Sequence, residues 1–243
     1  MAKRDLTAEV TDFAQELIRT VEAVLPEEHG FTAEVGPSSN RQHVIVNQDD
    51  DKGIPIAIGG QTVLRLEVSY RCEWNTTEEY FTVNESSFKV GVEGVNEPIL
   101  TFDYGREFGD TVPVAHVNVH AHRDELMFAF MTAERGRGKP RGKGMQRGQI
   151  PRLSKLHIPL GGHRFRPSLE DVLEMLIHEF GIDCKNGALE ALRAGRRKFR
   201  SIQVSAATGD DPEAAATTLR AMGYTVKSPD PSPQPKARRL SRY

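Results

Sequence analysis

Three histidines and an asparagine alternate in the segment Ala115-His116-Val117-Asn118-Val119-His120-Ala121-His122. Side chains on a strand alternate between its faces, so His116, Asn118, His120 and His122 share one face and Val117, Val119 and Ala121 the other. Alternate residues lie about 6.6 Å apart. Two imidazoles can bridge that distance to one zinc ion, which makes His116, His120 and His122 a candidate metal set. The same stripe suits general acid–base chemistry, because imidazole titrates near neutral pH. It also suits phosphate contact and base stacking. A polar outer face is the plainer alternative, since Val117 and Val119 already supply a buried one. No carboxylate at ligand spacing accompanies the stripe, so a metal would need further ligands, for example His157 or His163.

The second candidate is the loop from Glu134 to Lys155. It holds eight Lys and Arg, five Gly and one acid. Arg135, Arg137, Lys139, Arg141, Lys143 and Arg147 are its candidate phosphate contacts. Interleaved glycine lets the cations track a polyanion without fixed geometry, and such binding falls steeply with salt. The loop resembles arginine–glycine tracts of RNA-binding proteins, but no aromatic stands between the cations to stack on bases. A solvated surface loop is the alternative.

The third is Gly161-Gly162-His163-Arg164-Phe165-Arg166-Pro167-Ser168, placed directly before a helix. A helix N-terminus is a natural anion site, and Arg164 and Arg166 could clamp phosphate oxygens. Neither a Walker lysine nor G-x-G-x-x-G spacing is present. Alternatively, this is a tight turn whose arginines pair with Glu170, Asp171 or the acidic N-terminal half. The helices around 169–180 and 187–207 could also be read as helix-turn-helix, with Arg193, Arg196, Arg197, Lys198 and Arg200 on the recognition side. Their connection is longer than the usual 3–4 residues.

The elements that must position these residues follow from periodicity. Val10, Phe13, Leu17, Val21 and Val24 recur at helical spacing over Thr7–Val24. Short strands are expected at Phe31–Val35 and His43–Val46. The clearest strand is Val63–Trp74. Its Leu64, Leu66, Val68, Tyr70, Cys72 and Trp74 alternate with Arg65, Glu67, Ser69, Arg71 and Glu73, the pattern of a half-buried antiparallel strand. Ser87–Val92, Ile99–Tyr104 and Val114–His122 continue a meander, and Leu156–Leu160 adds a short strand. Ser168 caps a helix with Asp171 in capping-box position, and Gly181 ends it. A helix from about Gly187 to Ala207 follows, then one from Asp211 with Pro212 at its first position. Asp124–Ala133 is ambiguous between helix and strand.

The expected fold is therefore α+β: a twisted antiparallel sheet of about five to seven strands with packed helices and a helical C-terminal part. Its parts are an N-terminal helix (1–30), a sheet domain (31–160) carrying the basic loop 134–155, a helical part (161–226) and a disordered, basic, Pro-rich tail (227–243).

Composition bounds the function classes. The chain has 243 residues, 38% hydrophobic and 27% charged, enough apolar content for a core and too much for wholesale disorder. No apolar run approaches the ~18 residues of a membrane span, so no membrane partner is expected. The N-terminus leads into an amphipathic helix rather than a secretory signal. Two cysteines make no disulfide framework, which points to the cytoplasm. A net charge of −2 hides a split. Residues 1–110 hold 9 Lys and Arg against 21 Asp and Glu, whereas residues 111–243 hold 23 against 13. Either the basic half meets a nucleic acid or the two halves pair with each other.

The stretch LTFDYGREFGDTVPVAHVNVHA (100–121), with the later LHIPLGGHRFRPSLEDVLEMLI, resembles a group of proteins from actinobacteria and their mobile elements. The resemblance covers roughly residues 60–225 and implies a family, not an activity. The tyrosine-bearing strand followed by a His-x-x-x-His strand is also similar to the TumE toxin family. That likeness implies an RNA-directed toxin or ribonuclease of a conflict or mobile-element system, with His116, His120 and Tyr104 as catalytic candidates. The leading expectation is thus a cytoplasmic protein that associates with RNA or single-stranded nucleic acid and needs no cofactor. A non-enzymatic module for a protein partner and a zinc-dependent hydrolase on the histidine stripe are the alternatives.

Overall fold

The computed structural model describes residues 6–36, 43–74, 81–108, 112–120, 158–160 and 163–242, together with Gly144 and Arg147. Helix α1 (Leu6–Glu22) precedes the strands β1 (Phe31–Gly36), β2 (His43–Gln48), β3 (Ile54–Ile58), β4 (Gln61–Trp74), β5 (Phe81–Val92), β6 (Pro98–Gly105), β7 (Ala115–Val119) and β8 (Ile158–Pro159). Helix α2 (Leu169–Met175) runs into a π turn (Leu176–Phe180). Helices α3 (Ala188–Thr208), α4 (Pro212–Ala221) and α5 (Ala237–Ser241) complete the chain.

The strands form one antiparallel sheet in the order β1-β2-β4-β5-β6-β7-β8. β4 is long enough to hold two partners on one edge. β2 pairs with its residues 69–73, and β3 pairs with 61–66. The fold class is therefore the expected α+β one. β3, which has no counterpart in the expected strands, contains Pro55. Proline is tolerated there because, among the described residues, β3 pairs with β4 alone and its other edge carries no ladder. The β3–β4 hairpin turns through Gly59 and Gly60, with φ of +60° and +78°. Positive φ at both positions is the requirement of a type I′ hairpin loop, and glycine adopts it without penalty.

The alternation of β4 decides which face is covered. Leu64, Leu66, Val68, Tyr70 and Cys72 are buried with Phe88 and Val90 of β5. Val10, Leu17 and Val21 of α1 and Leu169, Val172, Leu173 and Leu176 of α2 and its π turn pack on the same core. Phe13 meets the edge of Tyr70 at 5.0 Å between centroids. Ser168 caps α2 as expected: its hydroxyl accepts from the Asp171 N–H, and its own N–H donates to the Asp171 carboxylate. Gly181 ends the element in the left-handed conformation with φ +65°. α3 buries only Ala188 and Leu192, and α4 buries no side chain.

The connection between the π turn and α3 is clipped to the sheet. The Asp183 carboxylate accepts from the N–H groups of Gly59 (3.0 Å) and Gly60 (2.6 Å), and its own N–H donates to Ala57.

The basic, Pro-rich segment expected from composition to be a tail has contacts of its own. Residues 228–242 return to the body of the protein and include α5. Lys236 and Arg239 approach the Asp210 carboxylate at 3.6 and 3.8 Å. Arg242 donates to the backbone carbonyls of Arg106 and Phe108. The physical reason is a buried carboxylate that attracts the tail's cations, a long-range partner that composition does not reveal.

Candidate functional site

The histidine stripe lies where the alternation places it, but it is not an open face. β6 and β7 pair with Asp103 opposite His116 and Tyr104 opposite Ala115. Asp103, His116 and Asn118 therefore point to the outer face, away from the core helices, while Tyr104 points to the core face. His116 is only 3% exposed and Asn118 only 6%. The His116 Nδ1–H donates to the Pro113 carbonyl at 2.9 Å, which fixes the ring's orientation. Phe108 packs beside the ring at 5.6 Å.

Asp103 is the hub of this face. Its carboxylate accepts from the Ser87 hydroxyl (2.7 Å), the Thr101 hydroxyl (3.1 Å) and the Asn118 amide (3.3 Å), and His116 Nε2 lies 3.9 Å away. His120 follows the end of β7, with Nδ1 3.7 Å from Glu97. Four residues of strand put His116 and His120 about 13 Å apart along the chain. His122 and His157 lie outside the described residues. Among the described residues no group of three or more His, Cys, Asp and Glu side chains could hold a metal ion.

Tyr104 is brought to a different set of groups. Its hydroxyl lies 3.3 Å from His163 Nδ1, and the Arg166 guanidinium sits over its ring at 3.8 Å. Arg166 also donates to the His163 carbonyl at 2.7 Å. The Arg164 guanidinium pairs with Asp210 at 2.7 Å. Burial would raise the Asp210 carboxyl, but the Arg164 hydrogen bond, with Arg239 and Lys236 beyond it, holds it below its ordinary range. Burial pushes His163 down to about 4, helped by the positive charges of Arg239, Arg164, Arg242 and Arg106. The imidazole at this site is accordingly neutral at pH 7 and can accept from the tyrosine hydroxyl. Tyr104 is thus separated by the sheet from His116 and His120, and the three catalytic candidates do not form one site.

Comparisons with protein-family models, curated proteins and solved structures find no match to this chain.

Of the candidate phosphate contacts in the basic loop, Arg135, Arg137, Lys139, Arg141 and Lys143 lie outside the described residues. Arg147 is described and exposed, and its N–H donates to Gly144 at 3.0 Å. A second cationic surface stands on α3. Arg193, Arg196, Arg197 and Arg200 line one shallow groove with Ser201, Val204 and Ser205. Arg196 is committed to structure: it donates to Asp171 at 2.6 Å and pairs with Glu174, tying α3 to α2. Arg200 makes a looser contact with Asp171 at 3.7 Å, and Lys198 pairs with Glu16 at 2.6 Å. Arg193 and Arg197 are exposed and have no carboxylate within 4 Å among the described residues.

Sequence reasoning did not single out Asp103, Arg106 or Asp210. Asp103 had a usable signal, because it alternates with Leu100, Phe102 and Tyr104 in the strand next to the histidine stripe and so faces the same side as that stripe. Asp210 had none beyond its place before a helix.

Proposed function

We propose that the protein binds RNA or another single-stranded nucleic acid through its cationic C-terminal half. The observation that carries this reading is the α3 groove. Its side-chain lining holds four guanidinium groups and no carboxylate among the described residues. α3 as a whole carries five Lys and Arg against the single acid Glu190. A shallow, open, arginine-lined groove suits a phosphate backbone: each contact releases counterions, and planar guanidinium forks match phosphate oxygens. Arg193 and Arg200 stand about 10 Å apart along the helix axis, enough to engage more than one phosphate. The 134–155 loop would extend the same electrostatic surface.

The test is fluorescence anisotropy of a labelled single-stranded RNA across a salt gradient, with the full chain and with a variant carrying Arg193→Ala, Arg197→Ala and Arg200→Ala. The native chain is expected to bind with strong salt dependence. The variant should bind more weakly, with a log–log salt slope shallower by about 2, because each lost phosphate contact removes about 0.7. Absence of binding at low salt, or an unchanged slope in the variant, overturns the reading.

A protein-binding module is the second reading, and one observation favours it. Phe165, Val204, Met222 and Tyr224 are 78%, 62%, 67% and 61% exposed on the C-terminal part. Such apolar exposure beside a groove marks contact surfaces. Weak salt dependence of any RNA binding would move this reading to first place.

A further inference from the structure

Beneath α3, between that helix and the core face of the sheet, lies a crevice of about 280 Å³. Protein interiors are close-packed and leave few voids larger than a water molecule, so a void of this size is a ligand-sized space, at the small end of the roughly 300–1,000 Å³ of ligand pockets. Its apolar wall includes Phe13, Tyr70, Phe88 and Phe199. Its polar side is built from Arg106, Arg166 and Tyr104, with Gln203 above.

Among the crevice cations, Arg164 is paired with Asp210, which Lys236 and Arg239 share from outside the crevice, and Lys198 is paired with Glu16. Arg106 and Arg166 remain. Neither has a carboxylate within 4 Å among the described residues. Arg166 spends its contacts on the Tyr104 ring and the His163 carbonyl, and Arg106 on the Thr82 hydroxyl. The Arg106 Nε–H and the Gln203 Oε1 are buried and carry no hydrogen bond. Of the lining carboxylates Glu16 and Glu170, Glu170 has no ion-pair partner among the described residues. It is drawn aside against α3, where a Cβ at position 195 would stand 2.5 Å from its Oε1; glycine leaves that room. Of the lining groups without an ion pair among the described residues, two cations against one carboxylate leave one positive charge facing an aromatic-walled crevice. Buried charge is costly unless it is paired, so such a site favours an anion of single charge.

We propose that this crevice binds a small organic monocarboxylate with an apolar or aromatic body, its carboxylate held by Arg106 and Arg166 and its body against Phe13, Tyr70 and Phe88. A guanidinium fork matches a carboxylate in two parallel hydrogen bonds. A phosphate monoester carries close to two negative charges near neutral pH and would be over-charged for this balance. The site is separate from the exposed arginines of α3, and its failure would leave the nucleic-acid reading standing.

The experiment is thermal unfolding and calorimetry of the full chain with phenylacetate and hexanoate, against phenylacetamide, acetate and phenyl phosphate. Phenylacetate at a hundredfold excess over its Kd should raise Tm by about 5–10 °C. Phenylacetamide lacks the charge and acetate lacks the body, and neither should do so. Arg106→Gln should abolish the shift. Arg166→Lys, which keeps the charge but loses the fork, should weaken binding by tenfold or more while the unliganded protein still melts cooperatively. No saturable shift with either carboxylate at millimolar concentration overturns the proposal. So does an equal shift with the amide, tighter binding of phenyl phosphate, or full binding by a folded Arg106→Gln chain.

Discussion

β6 and β7 carry polar groups on both faces, and the two faces are built on opposite terms. On the outer face one carboxylate, Asp103, is met by two hydroxyls and an amide, with the His116 ring seated nearby. The carboxylate is satisfied by three donors there, although the Asn118 Oδ1 is buried without a partner among the described residues, and His116 and Asn118 are closed in. On the core face, around Tyr104, guanidinium groups outnumber carboxylates: Arg106, Arg164, Arg166 and Arg242 gather near His163, and Asp210 answers only Arg164 and the tail. A matched polar network holds a fold in one arrangement, whereas a surplus of one charge is a feature that a ligand can complete. The histidine stripe has the residue types of acid–base chemistry, but the uncompensated charge lies on the other face.

The largest expected effect is at Asp210. Asp210→Ala removes the shared partner of Arg164, Lys236 and Arg239 and leaves a half-buried guanidinium uncompensated, a change that costs about 3 kcal/mol or more. Urea denaturation should show this loss, and limited proteolysis should show cleavage in 228–242 that the native chain resists. Native-like stability together with a protected tail would mean that the core-face charges are not held by this carboxylate.

His163 sharpens the comparison through pH. Its folded value lies near 4, below the 6.5 of the unfolded chain. The unfolded state therefore takes up the proton first as pH falls. The stability this residue contributes is complete above about 6.5 and declines until about 4, by as much as about 3 kcal/mol. Urea midpoints measured from pH 7.5 to 4 should fall in the native chain, and the part of that slope due to His163 should vanish in His163→Gln. Identical slopes would place the imidazole in a more solvated setting than its 7% exposure indicates.

On the outer face a smaller effect is expected. Asp103→Asn keeps the shape and lets the Ser87 and Thr101 hydroxyls reorient, so the loss should be about 1–2 kcal/mol, with RNA affinity unchanged. A larger loss in binding than in stability would make Asp103 and His116 functional rather than structural.

Much of the frame was legible. Strict alternation in Val63–Trp74 identified the central strand and its buried face, Ser168 with Asp171 marked a helix start, and Asp211 with Pro212 marked another. Those signals are local, written in period, capping and backbone freedom. β3 escaped because Pro55 argues against a strand unless the strand is known to lie at an edge, which is a property of the sheet and not of five residues. The site was legible only in fragments. Alternation places His116 on the outer face but cannot say that Phe108 packs beside it. The arginines at 164 and 166 stood out, but the carboxylate that takes Arg164 lies 46 positions further on, and the ring that takes Arg166 lies in β6. Pairings at such separations are set by packing, not by spacing.

The clip at Asp183 has a consequence for dynamics. A glycine hairpin tip exposed to water would ordinarily exchange its amide hydrogens almost as fast as an unfolded peptide. The Gly59 and Gly60 amides are instead held by a carboxylate 124 and 123 positions away, in the segment that leads into α3. Their exchange can proceed only when that segment lifts off the hairpin. Two backbone protons at the edge of the sheet thus act as a gauge of how often the C-terminal helices detach, and they would read the tightening of those helices when the crevice beneath α3 is filled.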